Sequence, residues 1–382
     1  MAPSIAVAGA GLSGLLLAHR LVRAGVDVHV YERDEAPFTR PQGYRITVDA
    51  DGLRALRTAL PDELRAQILS TGGTPGGSFR FTNSRLRDAF TLTFKAEADG
   101  GRQIDRQVLR SALLNGLPER VHFGRAVSHI DGHDVHFDDG SHVHADVIVG
   151  ADGVGSALRR QIAPGAEPRD SGMAGIYGRS PIPDLPDALR KSGVLAIGDR
   201  PASAFFFTSM RYATPPVGLV PDPRDYVMWG VVVRRTEVTD APLQQQAVDQ
   251  VRDYHPLIRS LVATADPAAI VLASFAVGCR PVRWPLPHAT LTGDAIHVMP
   301  PFGAHGGNTA LRDAGLLGDR LAGGGRPEAA IAAYQRDMVD YAFRDVDRAA
   351  AMMRRMTDSG AVGRFVLTRL LPSLHRHTVP AG

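Results

Sequence analysis

Three glycines close to the start of the chain constrain its fold more than any other feature. Gly9, Gly11 and Gly14 stand in the segment G-A-G-L-S-G, directly after a short apolar run at residues 4–8. Such a run is typical of a buried parallel strand, and the leucine spacing over residues 12–24 predicts a helix that begins inside the segment. A strand, a glycine turn and a helix in this order predict that the backbone comes close to a bound phosphate.

Each glycine of this turn has a separate task. The first permits the tight turn, the second lets the backbone approach a pyrophosphate, and the third lets the helix pack on the strand. The first helical residues, Leu12 and Ser13, carry backbone N–H groups that point towards the phosphate charge. The alternative is a glycine turn with a purely structural role.

A second strand is predicted at residues 26–31, and Glu32 follows it, 18 residues beyond Gly14. A carboxylate in this position binds ribose hydroxyls. Because a carboxylate repels a 2′-phosphate, the nucleotide predicted at this site is FAD or NAD rather than NADPH. The sequence therefore predicts one βαβ unit with a dinucleotide site.

Length and composition indicate a globular chain with more than one domain. The 382 residues include 44% apolar and 22% charged side chains, near the average for folded proteins. The 43 basic and 40 acidic side chains nearly balance, so we expect no nucleic acid partner. The single cysteine, Cys279, excludes an internal disulfide and fits a reducing, cytoplasmic location. No stretch approaches about 20 uninterrupted apolar residues, so we expect no membrane span.

Six of the 14 histidines fall between residues 122 and 144. His142 and His144 share one face of a predicted strand, but a zinc site needs three or four converging ligands. We therefore interpret this segment as a hairpin that turns at Asp139 and Gly140, with histidines on its solvated face, and assign no metal site.

Further along the chain the pattern becomes antiparallel. Residues 78–94 and 204–235 are rich in Phe, Val, Thr and Tyr with frequent turn residues, which predicts an antiparallel sheet separate from the first unit. A helical pattern follows over residues 327–356, with Pro327 suited to the first turn. A further helix is predicted near residues 362–371.

Two more motifs carry a resemblance to a known family. They are V-I-V-G-A-D-G-V-G-S-A-L-R-R at residues 147–160 and L-T-G-D-A-I-H-V-M-P-P-F-G-A-H-G-G-N-T-A-L-R-D-A at residues 291–314. With the glycine turn, and in this order, they make the chain resemble the class A FAD-dependent aromatic monooxygenases, the para-hydroxybenzoate hydroxylase-like family. Within that family the chain is similar to the polyketide and tetracycline hydroxylases, and the resemblance extends to about residue 357.

The resemblance implies the fold and its division. The implied fold class is α/β, with a Rossmann-like FAD-binding domain, an interleaved antiparallel-sheet substrate domain and a long C-terminal helix. The FAD-binding domain is expected at residues 1–75, 96–170 and 280–325. The substrate domain is expected at residues 76–95 and 171–279, and the C-terminal helical region at residues 326–382.

The resemblance also assigns residues to the cofactor. Asp152, Gly153 and Arg159 match a DG motif that supports the flavin pyrophosphate and the reductant. Gly293 and Asp294 match a GD motif whose aspartate binds the ribityl chain of FAD, a task that suits a carboxylate because it accepts from several hydroxyls.

The flavin ring is expected beside a third group of residues: Pro301, Gly306, Gly307 and Asn308. Relatives usually carry a glycine, any residue and a glycine in the positions before this asparagine. Here Ala304 occupies the first of these positions, which changes the expected path of the loop. We interpret His305 as a surface side chain rather than a cation beside the flavin.

Basic residues nearer the N-terminus complete the expected site. Arg106 matches an arginine that reaches the FAD phosphate and ribityl region, and Arg33 is expected at the adenosine end. Arg40, Gly43 and Arg45 lie in a stretch that leads onto the flavin in relatives, and an arginine fork suits the phosphate of NAD(P)H. The alternative for Arg40 and Arg45 is a solvated loop charge. Arg45 is also the one candidate catalytic residue.

The reaction implied by the resemblance is hydroxylation of an aromatic or polyketide-like small molecule, in antibiotic biosynthesis or modification. It uses FAD, NADPH or NADH, and O2, through a flavin C4a-hydroperoxide. Because the cofactor makes the bonds, no acid–base pair is assigned. A monomer or homodimer is expected. The candidate pocket residues are Phe205, Phe206, Phe207, Met210, Met228 and Trp229.

Two alternatives stay open at this point. A Baeyer–Villiger or epoxidising monooxygenase would use the same scaffold. A cyclase or binding protein would hold FAD in a purely structural role.

Overall fold

The computed structural model describes residues 3–39, 43–73, 78–93, 101–358 and 361–371. Its strands are β1 (Ser4–Ala8), β2 (Asp27–Tyr31), β3 (Arg45–Val48), β4 (Ser78–Asn83), β5 (Asp88–Thr93), β6 (Arg102–Asp105), β7 (Val121–His122), β8 (Val127–Asp131), β9 (Asp134–Phe137), β10 (His142–His144), β11 (Val147–Gly150), β12 (Arg169–Pro181), β13 (Ser192–Ile197), β14 (Ala204–Met210), β15 (Tyr226–Arg234), β16 (Val271–Val277) and β17 (Ala289–Leu291). Its α-helices are α1 (Leu12–Arg23), α2 (Ala50–Ala59), α3 (Asp62–Thr71), α4 (Arg106–Asn115), α5 (Arg159–Ile162), α6 (Asp187–Arg190), α7 (Leu243–Val251), α8 (Pro256–Ala263), α9 (Asp294–His297), α10 (Gly306–Ala322), α11 (Pro327–Thr357) and α12 (Ala361–Phe365). Arg235–Glu237 and Pro267–Ala269 are 3₁₀ turns, and Val366–Leu370 is a π-helical turn.

A parallel five-stranded sheet with the order β17-β11-β1-β2-β7 forms the first layer. Its central strand β1 pairs in parallel with β2 on one side and β11 on the other, so it is buried on both faces and its sequence reads as a continuous apolar run. Helix α1 follows β1 and ends before Gly25, which has a φ of +73°. This confirms the βαβ unit that the glycine segment predicts.

A seven-stranded sheet with the order β16-β12-β15-β14-β13-β4-β5 forms the second layer. Its neighbouring strands are antiparallel except β13 and β4, which run parallel. One face packs against α7 and α8 in a core that contains Phe205, Phe207 and Trp229. The other face meets loops that follow the parallel sheet, since Phe275 of β16 packs edge-on against Phe302 at 5.9 Å between ring centroids.

Two smaller sheets accompany these layers. Strands β8, β9 and β10 form an antiparallel sheet with turns at Gly132 and Gly140, which both have positive φ. The sequence predicted the second of these turns only. Strands β3 and β6 form a two-stranded ribbon in which Arg45 pairs with Asp105.

The long helix α11 contacts both main layers. Tyr334 donates a hydrogen bond to the carbonyl oxygen of Leu291 at the end of β17, and Met353, near the other end of the helix, packs with Met173 and Phe275 of the seven-stranded sheet. The α/β fold with a Rossmann-like unit, an antiparallel sheet and a long C-terminal helix is therefore confirmed. No helix in the described part of the chain is both long enough and apolar enough to span a membrane.

Candidate functional site

The three glycines at the start of α1 have different surroundings. Gly9 has a φ of +106°, and a Cβ added there would lie 2.4 Å from the carbonyl oxygen of Ala151. A Cβ at Gly14 would lie 2.2 Å from the carbonyl oxygen of Gly9, whereas one at Gly11 would meet no atom within 4 Å. Packing therefore requires glycine at positions 9 and 14. At position 11 the backbone faces open space in which a ligand would lie.

The N-terminus of α1 opens onto the same space. Its first residues, Leu12 and Ser13, are buried, and no side chain caps the helix. The first N–H groups of a helix have no partner within the helix and carry its positive partial charge. Ser13 Oγ lies 2.7 Å from Thr292 Oγ1, which ties this helix end to the strand that precedes the GD motif. The arrangement suits a bound phosphate group.

Glu32 is buried at the end of β2 and holds the glycine turn in place. Its Oε2 accepts from the backbone N–H of Ala10 at 2.8 Å, and its Oε1 accepts from that of Asp34 at 3.1 Å. The buried Arg110 lies 3.7 Å from Glu32 and donates to the carbonyl oxygens of Ala10 and Pro37. Arg110 was not predicted as a site residue from the sequence, although it lies one helical turn after Arg106, a spacing that places both on one side of α4.

The DG loop after β11 contains a buried carboxylate oxygen without a partner. Asp152 Oδ2 accepts from the backbone N–H of Ala157 at 2.8 Å, while Oδ1 is buried and has no hydrogen-bond partner among the described residues. Gly153 has a φ of +77°, and a Cβ there would meet nothing within 4 Å. The loop therefore presents a free acceptor and an open surface.

Arg159 lies behind this loop rather than in the open space. It is buried, and its guanidinium donates to the carbonyl oxygens of Gly153, Val154, Asp294 and Ala295. Burial lowers the pKa of Arg159. Its donors join the DG loop to the GD motif and position both, while a contact between Arg159 and the cofactor stays a prediction.

The GD motif is held by a buried charged network. Gly293 has a φ of +60°, and its N–H donates to Asp313 Oδ2 at 2.9 Å. The same oxygen lies 2.6 Å from His297 Nε2, and Tyr341 donates to Asp313 Oδ1 at 2.5 Å. His297 and Asp313 are fully buried. Asp294, the first residue of α9, is exposed at the mouth of this turn.

His297 and Asp313 each favour the ionised form of the other. Burial lowers the pKa of His297, but the adjacent Asp313 carboxylate outweighs burial and raises it above 6.5. Burial raises the pKa of Asp313, but His297 outweighs it and the pKa lies below 3.8. Both residues lie in the motif at residues 291–314, but the motif alone does not indicate that His297 and Asp313 meet.

The loop before α10 departs from the expected family pattern, and the structure shows a strained backbone at the position of the departure. Pro301 is exposed, and Ala304 has a φ of +58°, a left-handed conformation that glycine adopts without strain. The imidazole ring of His305 lies against Gly303: a Cβ added at Gly303 would be 2.9 Å from the ring. Its half-buried ring thus packs on its own loop.

Helix α10 begins with Gly306 and Gly307 and has no side-chain cap. The side chain of Asn308 is turned inwards: its Oδ1 accepts from the N–H of Asp49 at 3.0 Å, and its Nδ2 donates to the carbonyl oxygen of Thr47 at 2.8 Å. Asn308 therefore joins α10 to the end of β3. It positions the helix N-terminus, whose amides point outwards from Gly306 and Gly307.

The predicted arginines fall in different environments. Arg33 is exposed, and Arg40 lies outside the described residues. Arg45 donates to Thr47 Oγ1 at 3.3 Å, while its Nε is buried and has no hydrogen-bond partner among the described residues. Burial lowers the pKa of Arg45 to about 10, so it remains a cation at neutral pH. Gly43 lies beside Arg106, since a Cβ there would be 3.3 Å from its guanidinium.

The seven-stranded sheet separates the predicted pocket residues into two groups. Phe205, Phe207 and Trp229 lie in the core under α7 and α8. Because side chains alternate along a strand, Phe206, Met210 and Met228 lie on the opposite face. Met210 and Met228 there pack with Tyr44, the neighbour of Arg45.

Phe206 belongs to an aromatic cluster on this second face. Its ring stacks on Phe79 at 5.9 Å, and Phe81 stacks on Phe90 at 4.2 Å between ring centroids. Phe79, Phe90 and Phe206 are half-buried. The face is therefore apolar, aromatic and partly accessible.

The histidine-rich segment forms part of the small antiparallel sheet. His136 stacks on His129 at 4.5 Å and on His142 at 5.3 Å between ring centroids, and His144 pairs with Asp134. Within the described ranges, no three His, Cys, Asp or Glu side chains converge as metal ligands. Cys279 is half-buried and unpaired by disulfide.

These features test whether FAD fits the site. A dinucleotide needs an uncapped helix N-terminus for its pyrophosphate, backbone without Cβ atoms along its path and polar atoms for its hydroxyls. The residues present supply all three: α1, the open surfaces of Gly11 and Gly153, and the unpartnered Asp152 Oδ1. The site fits FAD.

Comparison with known proteins identifies the family. Residues 125–349, more than half of the chain, match the family described as FAD binding domain. The chain belongs to this FAD-binding family. Residues 7–61 also match the family described as NAD(P)-binding Rossmann-like domain. FAD is accordingly the cofactor of this flavoprotein.

Individual relatives agree with this assignment. The chain is 28% identical to the dual O-methyltransferase/FAD-dependent monooxygenase CTB3 of Cercospora beticola, over 92% of the chain and 46% of that relative. It thus spans about half the length of that protein. It is 29% identical to 3-amino-4-hydroxybenzoate 2-monooxygenase of Streptomyces cremeus, over 87% of the chain and 82% of the relative.

A solved structure extends the likeness to three dimensions. A protein from Photorhabdus luminescens, named as an FAD-containing monooxygenase, superposes with a TM-score of 0.80 at 28% identity, covering 94% of this chain and 99% of that one. The resemblance to class A FAD-dependent aromatic monooxygenases, read from three motifs, is therefore confirmed.

Proposed function

We propose that the chain is an FAD-dependent monooxygenase that inserts one oxygen atom from O2 into an aromatic or polyketide-like small molecule, with NADH or NADPH as reductant. The observation that carries the proposal is the aromatic, partly accessible sheet face around Phe206, which meets the loops of the FAD site at Tyr44 and Phe302. A planar apolar substrate would lie between this face and the cofactor.

At the nucleotide end, the proposed contacts are made mostly by backbone. The pyrophosphate of FAD would lie against the open surface of Gly11 and the N–H groups of Leu12 and Ser13. Glu32 still has acceptor capacity for ribose hydroxyls after its two backbone hydrogen bonds. Arg33, and Arg40 in the stretch outside the described residues, are proposed for the adenosine end.

Towards the flavin end, charged side chains lie around the proposed position of the phosphate and ribityl chain. Arg106, with Gly43 beside it, and Arg45 would face the phosphate and ribityl region. Asp152 and Asp294 would accept hydrogen bonds from ribityl hydroxyls.

The ring itself would lie beside Pro301 and the N-terminus of α10. The amides at Gly306 and Gly307 there favour negative charge. In this arrangement the side chain of Asn308 does not contact the ring, because it fixes the N-terminus of α10 against β3.

When bound, FAD supplies the redox chemistry, in which it accepts a hydride from NAD(P)H and activates O2. The chain contributes binding, orientation and exclusion of water by its apolar face. The name of the Streptomyces cremeus relative, an aminohydroxybenzoate monooxygenase, supports a small aromatic substrate. The match of residues 7–61 to an NAD(P)-binding family supports a nicotinamide reductant.

The experiment is reduction of the purified flavoprotein by NADH or NADPH, followed through the visible flavin absorbance, in the presence of a panel of phenolic and polyketide compounds. The expected result is bleaching that is accelerated by one class of compound, followed in air by a product that has gained one oxygen. Isotopically labelled O2 shows the origin of that oxygen by mass spectrometry.

The alternatives give different products in the same experiment. A ring-expanded ester identifies Baeyer–Villiger chemistry, and an epoxide identifies epoxidation. Failure of both nicotinamides to bleach the flavin with every compound present would overturn the monooxygenase proposal in favour of a structural FAD.

A further inference from the structure

Asp105 lies where the ribbon strand β6 ends and α4 begins, between the two main layers of the fold. Its side chain is buried, with 4% of the residue exposed. Both of its carboxylate oxygens are hydrogen-bonded, and each one serves a different part of the molecule. Asp105 precedes the predicted Arg106 in the sequence, but the sequence alone assigns it no role.

One oxygen organises the helix that carries the site arginines. Asp105 Oδ1 accepts from the backbone N–H groups of Gln107 at 2.7 Å and Val108 at 3.1 Å, so Asp105 is the N-cap of α4. A capping aspartate fixes the start of a helix and favours its dipole. Arg106, the first residue of α4, and Arg110, one turn later, are therefore oriented by this cap.

The other oxygen reaches the seven-stranded sheet. Asp105 Oδ2 accepts from the hydroxyl of Tyr226 at 2.6 Å and from that of Tyr212 at 3.1 Å. Tyr226 is the first residue of β15, and Tyr212 lies in the connection that leads to it. Burial, together with the charge of Asp105, raises the pKa of both tyrosines, so both hydroxyls keep their protons and donate at neutral pH.

We propose that Asp105 is a positioning residue that couples the seven-stranded sheet to the arginines of the FAD site. The backbone of Arg45 is the register partner of Asp105 in the β3–β6 ribbon, so the same ribbon holds Arg45 near the start of α4. Occupation of the nucleotide site reduces the motion of α4 and of the β3–β6 ribbon. Through the shared carboxylate, it also reduces the motion of β15 and of the connection before it. This inference rests on the proposed function, since it requires that FAD binds at α1, the DG loop and α4.

If Asp105 served only as the N-cap of α4, the hydrogen bonds from Tyr212 and Tyr226 would not be needed. Capping uses only Oδ1, and an exposed Oδ2 would be satisfied by water at no cost to α4. Instead, Oδ2 is buried under two hydroxyls from the other layer. Hydrogen bonds to a charged acceptor are stronger than those between neutral groups, so this contact can carry coupling between two sites.

The test removes the two hydroxyls and leaves the cap. A Tyr212→Phe/Tyr226→Phe variant keeps Asp105 Oδ1 on α4 and keeps the aromatic packing. Amide hydrogen exchange is measured with and without FAD. Tyr254→Phe is the matched control, because Tyr254 is a buried tyrosine whose hydroxyl bonds Ser203 on the far face of the sheet.

In the wild-type protein and the control, FAD is expected to slow exchange both at residues 9–14 and at residues 211–226. In the double variant, FAD should still slow exchange at residues 9–14 but lose its effect at residues 211–226. The FAD dissociation constant, measured by flavin fluorescence, is expected to rise about five-fold, the low end of typical coupling between sites. Asp105→Asn, which retains an N-capping oxygen but not the charge, should show the same loss of remote protection.

The outcomes separate the inference from the function on which it rests. If the wild-type protein does not bind FAD, the proposed function fails. If FAD binds and residues 211–226 respond equally in the wild-type protein and in the double variant, or in neither, Asp105 is a helix cap and the coupling is refuted.

Discussion

Gly11 and Gly14 lie three residues apart at the start of α1, and replacement by alanine should affect them differently. A Cβ at Gly11 meets no protein atom, whereas one at Gly14 meets the Gly9 carbonyl oxygen at 2.2 Å. We expect Gly11→Ala to leave the thermal stability of the apoprotein nearly unchanged and to weaken FAD binding at least about ten-fold, because the methyl group occupies the ligand's space. Gly14→Ala should destabilise the apoprotein by about 3 kcal/mol, the upper range for overpacking.

Two measurements on each variant check this pair. Thermal unfolding without FAD reports folding, and fluorescence titration with FAD reports binding. Equal loss of stability in both variants, or unchanged FAD affinity in Gly11→Ala, would contradict the proposed position of the pyrophosphate.

The buried pair His297 and Asp313 predicts a pH dependence of stability with a defined sign. The raised pKa of His297 contributes stability that is fully present below pH 6.5 and is lost as the pH rises through the raised value. The lowered pKa of Asp313 contributes stability that is present above pH 3.8 and is lost as the pH falls through the lowered value. The pair should therefore stabilise most strongly between these limits.

We expect His297→Asn to cost about 3–5 kcal/mol at mildly acidic pH, because it leaves Asp313 buried without its cation. The difference from the wild-type protein should shrink as the solution becomes alkaline. Chemical denaturation over a pH series measures it, with His305→Asn as the control at a half-buried histidine in the loop before α10. A difference that stays constant from acidic to alkaline pH would show that the pair is not ionised.

At the scale of elements, the loop that leads into α10 carries a strained residue. Ala304 has a φ of +58°, and a non-glycine residue in this region costs about 1–2 kcal/mol. We expect Ala304→Gly to stabilise the apoprotein by about 1 kcal/mol, since the relief of strain exceeds the entropy that glycine adds to the unfolded chain. Thermal unfolding measures this effect.

Ala202 provides the comparison for that substitution. It also has a φ of +58° and lies in the connection before β14, but it is buried and packs in a cluster with Phe275 and Phe302, whereas Ala304 is exposed. Ala202→Gly should therefore stabilise less than Ala304→Gly, because the loss of a buried methyl group offsets the relief of strain. If Ala304→Gly does not stabilise the apoprotein, backbone strain does not control its loop.

Helices and strands with a strong local sequence pattern could be predicted from the sequence. Strands that depend on pairing with distant strands could not. The strand, turn and helix at residues 4–24 have apolar periodicity and required glycines, and the prediction matched the structure within a residue or two. Strands β12 and β13 were missed, because glycine and serine positions interrupt their apolar pattern. Their strand conformation depends on neighbours far away in the chain, as in the pairing of β12 with both β15 and β16.

The same limit applies to the site. The glycines and aspartates of the motifs carry a local signal, since backbone conformation and spacing identify them. Arg110 and Asp105 do not, because their roles arise from contacts with Glu32 and Tyr226, more than 70 residues away in the chain. Arg159 adds a different case: its motif position predicts a cofactor contact, and the structure shows a second role that the motif does not reveal, because its guanidinium joins two loops.

At the scale of the whole molecule, the two faces of the seven-stranded sheet have different surroundings. Helices α7 and α8 cover one face and complete a core, whereas the other face meets the loops of the FAD site. Neighbouring residues of β14 therefore belong to different environments, although composition gives no reason to distinguish them. Under the proposed function, this arrangement allows the proposed substrate face, which carries Phe206, to change without loss of the fold.

Phe205 and Phe206 provide a test of that arrangement, since they are identical in chemistry and adjacent in sequence. Phe205 is fully buried in the helix-covered core, so Phe205→Ala should cost about 3–5 kcal/mol of stability and leave substrate preference unchanged in the protein that folds. Phe206 is half-buried on the substrate face, and Phe206→Ala should cost less stability but change the compounds that accelerate flavin reduction. Thermal unfolding and the compound panel measure the two effects. If Phe206→Ala shifts stability alone, or Phe205→Ala shifts substrate preference alone, the face assigned to the substrate is the wrong one.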